Sequence, residues 1–252
     1  MNIYETDQLL AEYLLFHYGE DNEILPWPGG PADALRYPVR CVTECFDLKH
    51  LLPPNARALD LGCAVGRSTF ELARYCGEVI GIDYSQRFVT AAVQLRDQRE
   101  LPYRRRDEGD LSTPLIARIA PEIDCRRVYF ERGDALDLRA DLGTFDVILM
   151  ANLIDRLNDP RRLLERLPSL VNPGGQVVIA SPYTWLADFT PRENWLGGFE
   201  QDGQRQSTRD ALQSLLEPHF DIIKASNQPF LIREHARKYQ WSVAETTTWR
   251  RR

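Results

Sequence analysis

Nowhere do the 252 residues hold an apolar run approaching the ~18 needed to cross a bilayer, which excludes a membrane-spanning helix. The opening MNIYETDQLL places Glu5 and Asp7 where an export signal has a basic start and an apolar stretch, so a cytoplasmic protein is expected. Five cysteines, Cys41, Cys45, Cys63, Cys76 and Cys125, contain no C-x-x-C pair and are odd in number, which argues against a disulfide framework and suits a reducing compartment. His17, His50, His219 and His235 stand at no metal-ligand spacing from these cysteines or from one another, so no metal site is expected. Neither sign of charge dominates: 31 Lys and Arg against 37 Asp and Glu leave −6, which draws the chain to neither nucleic acid nor an anionic membrane. Only 15 Gly and 16 Pro, beside 43% hydrophobic and 27% charged residues, exclude collagenous and disordered chains. Repeats and low-complexity tracts are absent too. What remains is a globular chain suited to small-molecule work, read as a single domain spanning 1–252.

Thr6 is positioned to cap a helix whose stripe Leu9, Leu10, Tyr13, Leu14 and His17 or Tyr18 recurs at three-to-four spacing, with Gly19 ending it. Residues 19–33 crowd Gly and Pro together and read as a loop, and a second helix is expected from about Pro38 to His50, closed by Pro53 and Pro54. Residues 1–55 thus form an N-terminal helical cap. From Arg57 the pattern becomes strand, glycine turn, helix, strand. Short apolar runs at Ala58 to Leu61, Val79 to Ile82, Val128 to Arg132, Phe145 to Met150 and Gln176 to Ala180 have the character of parallel strands buried on both faces. Ser207 caps a later helix ending near Pro218, and two extended stretches then close the chain as an antiparallel hairpin. Residues 100–127 form an insertion too long for an ordinary helix-to-strand connection; Leu115, Ile116 and Ile119 sit at helical spacing, and Arg104, Arg105 and Arg106 read as a solvated face.

The strongest chemical signal is D-L-G-C-A-V-G, from Asp60 to Gly66, between the first strand and its helix. Glycine is needed where φ is positive or a Cβ would collide, and a helix start offers free N–H groups to a polar ligand. Neither the dinucleotide pattern G-x-G-x-x-G nor G-x-x-x-x-G-K-[ST] is met, which weighs against a nucleotide-dependent oxidoreductase. Asp83 ends the second strand, where a carboxylate holds ribose hydroxyls in nucleoside-binding sheets. Gly133, Asp134 and Ala135 follow the third strand, and Asp134 is placed to accept from an exocyclic adenine amine. Singly, Asp83 reads equally as a helix cap and Asp134 as a turn residue. Together they lie at the carboxyl ends of successive strands, where open α/β sheets bind ligands.

This combination resembles the class I S-adenosylmethionine-dependent methyltransferases, although the family's usual middle glycine is Ala64 here. The phrases YETDQLLAEYLLFHYG, ALDLGCAVGRSTFELAR, ANLIDRL, SPYTWLADFTPRENWLGG and PFLIREHARKYQWSVAETTTWRR, spanning Tyr4 to Arg251, are similar to those of the 4-mercaptohistidine N1-methyltransferases, found fused to ovothiol synthases and free-standing. The resemblance implies a Rossmann-like α/β fold: a mostly parallel seven-stranded sheet with helices on both faces, a C-terminal antiparallel hairpin and the N-terminal cap. It also implies S-adenosylmethionine as cofactor, with S-adenosylhomocysteine as product. The implied reaction is N-methylation of 5-thiohistidine to ovothiol A, with a functional link to a separate sulfoxide synthase. Another small amino-acid or thiol-imidazole acceptor, or a non-catalytic binding module, is the alternative.

Expected cofactor contacts are Asp60, Gly62, Cys63, Ala64, Gly66, Asp83, Tyr84, Asp134, Ala135, Asn152 and Leu153. Asn152, just past the fourth strand, is placed to meet the methionine part. Asn152, Tyr183 and Asp155 are the candidate catalytic residues, with Asp155 and Arg156 read equally as an ion pair at a helix start. Substrate contacts are expected from Tyr4, Tyr37, Arg156, Tyr183, Trp185, Trp195 and Arg233; the aromatic faces of Tyr183 and Trp185 suit a sulfonium or an imidazole, with core packing as the competing role.

Overall fold

A computed structural model describes residues 3–47 and 55–252. Helix α1 (Asp7–Tyr18) starts where expected: the Thr6 hydroxyl accepts from the Leu9 amide, and Gly19 ends it. Residues 19–33 are not loop throughout, because Glu20 and Glu23 form a reciprocal capping box that holds a single turn, α2 (Asp21–Ile24). Helix α3 (Tyr37–Thr43) is shorter than expected, and the remainder of the stretch to Pro54 lies partly outside the described residues.

Strand β1 (Arg57–Leu61) leads to α4 (Arg67–Leu72), β2 (Glu78–Asp83) and α5 (Gln86–Gln98). The expected insertion then differs from its helical reading. It folds as a hairpin, β3 (Glu100–Glu108) and β4 (Leu111–Arg118), turning at Gly109 with φ 53°. Tyr103 faces Leu115 and Leu101 faces Ala117, so the side chains that turn inward are Leu115, Ala117 and Ile119, at a period of two. Strands β5 (Val128–Arg132) and β6 (Phe145–Ala151), helix α6 (Pro160–Leu170) and β7 (Val171–Ser181) follow. A small pair, β8 (Phe199–Gln201) and β9 (Gln204–Gln206), precedes α7 (Thr208–Leu216), capped by Ser207, and the hairpin β10 (Phe220–His235) and β11 (Lys238–Arg251).

Seven strands form one sheet in the order β10-β11-β7-β6-β1-β2-β5. Strands β5, β2, β1, β6 and β7 pair in parallel, and β11 runs against both β7 and β10. Two apolar cores flank the sheet. One joins Leu14, Phe16, Tyr37, Val42, Phe70 and Phe88 from α1, α3, α4 and α5; the other joins Leu163, Leu167, Leu212 and Leu216 from α6 and α7 with Phe145 and Trp249. The parallel strands carry apolar side chains on both faces because helices cover both. Their carboxyl ends all open on one edge, under α1. No helix among the described residues is long and apolar enough to cross a membrane.

Candidate active site

The chain crosses from β1 to α4 through three residues with positive φ, Gly62 at 73°, Ala64 at 48° and Gly66 at 85°. These reversals fold the loop over the end of β2, where the Gly62 and Cys63 amides both donate to the Ile82 carbonyl. Asp83 sits beside this loop, one carboxylate oxygen accepting from the Ala64 amide at 2.8 Å and the other from the Ser85 amide at 2.8 Å. Ser85 itself caps α5 by accepting from Phe88. Asp83 therefore braces two turns at once, and each oxygen keeps a further lone pair for a ligand. Burial raises its pKa, opposed by the two amides.

The turns after β5 and β6 complete the floor. Asp134 accepts from the Leu136 amide at 2.8 Å, and the Gly133 amide donates to the Asp83 carbonyl. Asn152 is left-handed at φ 54°; its amide donates to Ala180, and its side-chain oxygen accepts from the Tyr37 hydroxyl at 2.9 Å. Above them lie Tyr4, Tyr13, Phe16 and His17, with Phe88, Phe189 and Arg156 at the side. The whole lines one crevice of about 540 Å³, within the ~300 to 1,000 Å³ usual for small-molecule sites.

The roof is tied to the floor. The Tyr18 hydroxyl donates to the Val65 carbonyl at 2.7 Å, Ser85 Oγ donates to the Tyr4 carbonyl, and the Gln86 amide donates to the Glu5 carboxylate. Tyr13 packs 4.7 Å from Phe88, and Tyr4 stands 6.0 Å from the same ring. Burial raises the Tyr4 phenol, against the lowering effect of a hydrogen bond from Arg156.

Asp60 lies under the loop, buried, accepting from Thr69 Oγ1 at 2.7 Å, and burial pushes its pKa up to about 7. The folded protein consequently keeps a proton that the unfolded chain has lost between about pH 4 and 7, so this group makes stability fall as pH rises across that interval. Asp60→Asn is expected to remove this part of the dependence, leaving a flatter melting-temperature profile from pH 5 to 8. An unchanged slope would assign the titration elsewhere.

Of the expected cofactor contacts, Asp60, Gly62, Cys63, Ala64, Asp83, Tyr84, Asp134, Ala135, Asn152 and Leu153 line the crevice. Gly66 lies behind it, against Phe130 and Ala92. Among the expected substrate contacts, Tyr4, Tyr37 and Arg156 line it as well.

Five candidates are placed elsewhere. Asp155 is fully buried, accepting from Ser181 Oγ, the Thr184 amide and Arg156 Nη1, so it anchors a loop and pairs with Arg156 rather than meeting a substrate. Tyr183 donates to Glu245 at 2.7 Å and is not among the residues that line the crevice. Trp185 and Trp195 stack on each other, their indole N–H groups satisfied by Thr208 Oγ1 and the Thr190 carbonyl, because two large rings bury more area together than either does at a crevice edge. Arg233 donates to the Glu23 carbonyl and lines a separate cavity of about 790 Å³ between α1, α5, β3 and β10. Conversely, Tyr13, Phe16, His17, Phe88 and Phe189 join the crevice without having been expected there. Tyr13 and His17 fall in the apolar stripe of α1, whose spacing reads as core; the one signal was a histidine in that stripe. Among the described residues, no group of three or more His, Cys, Asp or Glu is placed to hold a metal ion.

A family described as "Methyltransferase domain" matches residues 59–177, from β1 into β7. Trans-aconitate 2-methyltransferase of Deinococcus radiodurans is 29% identical over 167 residues, 62% of this chain and 54% of that protein. The ubiquinone biosynthesis O-methyltransferase of Coxiella burnetii is 23% identical over 123 residues, 49% of this chain and 42% of that protein. The chain thus matches about half the length of these relatives or less. Among solved structures, the N-methyltransferase NodS of Bradyrhizobium japonicum with S-adenosylhomocysteine superposes with a TM-score of 0.53 at 15% identity, covering 96% of this chain and 98% of that one. A methyltransferase of Methanosarcina mazei gives 0.53 at 16% identity, covering 80% and 94%.

The fold is the Rossmann-like fold of class I methyltransferases, and residues 59–177 within it match the methyltransferase domain family. The crevice has the acid, turns and volume to fit the expected S-adenosylmethionine. The narrower resemblance, to the 4-mercaptohistidine enzymes, rests on the sequence phrases alone.

Proposed function

We propose that the whole chain acts as one S-adenosylmethionine-dependent N-methyltransferase domain, that its acceptor is the imidazole of 5-thiohistidine, and that the product is ovothiol A. The observation that carries the reading is one crevice with nucleoside-type turns and acids as its floor and aromatic rings as its roof. When bound, S-adenosylmethionine supplies a methyl group on a sulfonium, the acceptor nitrogen's lone pair displacing it while the C–S electron pair passes to sulfur.

In this reading Asp83 holds the ribose hydroxyls, Asp134 and the Gly133 to Ala135 turn meet the adenine, and Asn152 meets the methionine part. Tyr37 fixes the Asn152 amide by its hydrogen bond. Tyr4, Tyr13 and Phe16 exclude water and press a flat acceptor into line, which is the main requirement of an in-line displacement. Arg156 keeps a guanidinium at the crevice wall for the acceptor's carboxylate. The neutral imidazole tautomer already presents a lone pair, so holding the tautomer replaces proton abstraction. The buried Cys41, Cys45, Cys63 and Cys76 are free thiols, which accords with the reducing cytoplasm proposed as its location.

Incubation of the purified chain with S-adenosylmethionine and either 5-thiohistidine or histidine, followed by mass spectrometry, tests the reading. A gain of one methyl on 5-thiohistidine, with histidine turned over far more slowly, is expected. Equal turnover of histidine would remove sulfur from the specificity, and no turnover of either would remove the acceptor assignment.

A further inference from the structure

His17 occupies the last turn of α1 and its ring lines the crevice. It lies 5.8 Å from the Tyr13 ring, nearly parallel, and 5.2 Å from Phe16, edge to face. Its Nδ1 is buried and has no hydrogen-bond partner. Such an orphan is costly to bury, and buried polar atoms are otherwise almost always paired. Nothing in the packing requires a nitrogen there, since phenylalanine would offer the same flat face among Tyr13, Phe16 and Tyr18 without that cost. Burial and the nearby positive charge of Arg67 hold the imidazole pKa down to about 3, so the ring stays neutral and keeps one donor and one acceptor nitrogen. An uncompensated polar atom on a ring that lines a crevice marks a place where a functional demand overrides folding.

We propose that His17 is a positioning residue for the acceptor, hydrogen-bonding one in-plane nitrogen of a flat heteroaromatic ring held among Tyr4, Tyr13, Phe16 and Tyr37. This rests on the methyltransferase reading above and adds a selection rule to it. A two-nitrogen ring that donates its N–H to His17 is fixed in one tautomer, and its other nitrogen then carries the lone pair that takes the methyl group. His17 thereby decides which of two chemically similar nitrogens reacts. Methyl transfer itself needs no proton from it.

The experiment compares wild type, His17→Phe and His17→Gln, all saturated with S-adenosylhomocysteine, by calorimetry with imidazole and with 5-thiohistidine. His17→Phe is expected to weaken acceptor binding about tenfold or more, the value of one hydrogen bond. Its affinity for S-adenosylhomocysteine should stay within twofold and its melting temperature should not fall. His17→Gln, which keeps a donor and an acceptor, should restore much of the binding. If the wild type methylates 5-thiohistidine, the ratio of the two N-methyl isomers, read by NMR, should shift in His17→Phe. Equal acceptor binding by His17→Phe and wild type overturns the assignment, as does a wild type that binds neither ring. Binding without turnover would instead overturn the proposed reaction and leave the His17 contact standing.

Discussion

Asp83→Ala is expected to weaken S-adenosylhomocysteine binding at least about a hundredfold. Two charge-assisted hydrogen bonds from ribose hydroxyls to this carboxylate are worth roughly 1.5 to 3 kcal/mol each, and 1.4 kcal/mol is a factor of ten. The alanine also leaves the Ala64 and Ser85 amides without their acceptor, which loosens both turns that face the ligand. Asp83→Asn separates the two contributions: it keeps a side-chain oxygen for one turn and loses the charge, so its affinity should fall between the two. Calorimetric titration provides the check, with a melting curve to show that each variant is folded. An alanine variant within threefold of wild type would mean that the nucleoside lies elsewhere.

The second large effect concerns folding. Gly66 has φ 85°, and a Cβ there would stand 2.5 Å from Phe130 Cζ and 3.3 Å from the Ala92 Cβ. A left-handed non-glycine residue costs about 1 to 2 kcal/mol, and forcing a methyl into packed surroundings typically costs about 1 to 3 more. Gly66→Ala should therefore lose about 2 to 5 kcal/mol, a drop of roughly 5 to 15 °C in melting temperature at this chain length. Thermal unfolding measures it directly. A shift under 2 °C would show that Phe130, the far end of a side chain, yields freely. Gly66 is thus needed for the bend that aims the loop, although its own surface lies behind the crevice.

Much of the floor was legible because it is local in the chain. Each turn lies within a few residues of the strand that delivers it, and strands such as 57–61 and 145–151 are mostly apolar stretches bounded by turn residues. The caps at Thr6 and Ser207 were legible for the same reason, since a hydroxyl and an amide three residues on suffice. The roof was not. Tyr13, Phe16 and His17 belong to a helical stripe that reads as core wherever it points, and only the seating of α1 over the strand ends opens part of it to a ligand. Residues 100–127 misled for a related reason: Leu115 and Ile119 are four apart, which suits a helical turn and equally a strand with Ala117 between them. Trp185 and Trp195 offered aromatic faces, but which partner each ring would find depended on the fold of the loop after β7.

The ties from Tyr18 to Val65, from Ser85 to Tyr4 and from Gln86 to Glu5 join residues 4–18 to the same two turns that Asp83 braces. In the proposed function, a nucleoside that stiffens those turns also stiffens the roof tied to them, so a second molecule entering beneath that roof is expected to meet less of the ordering cost. The two ligands are therefore expected to favour one another by positive cooperativity even where they share no contact.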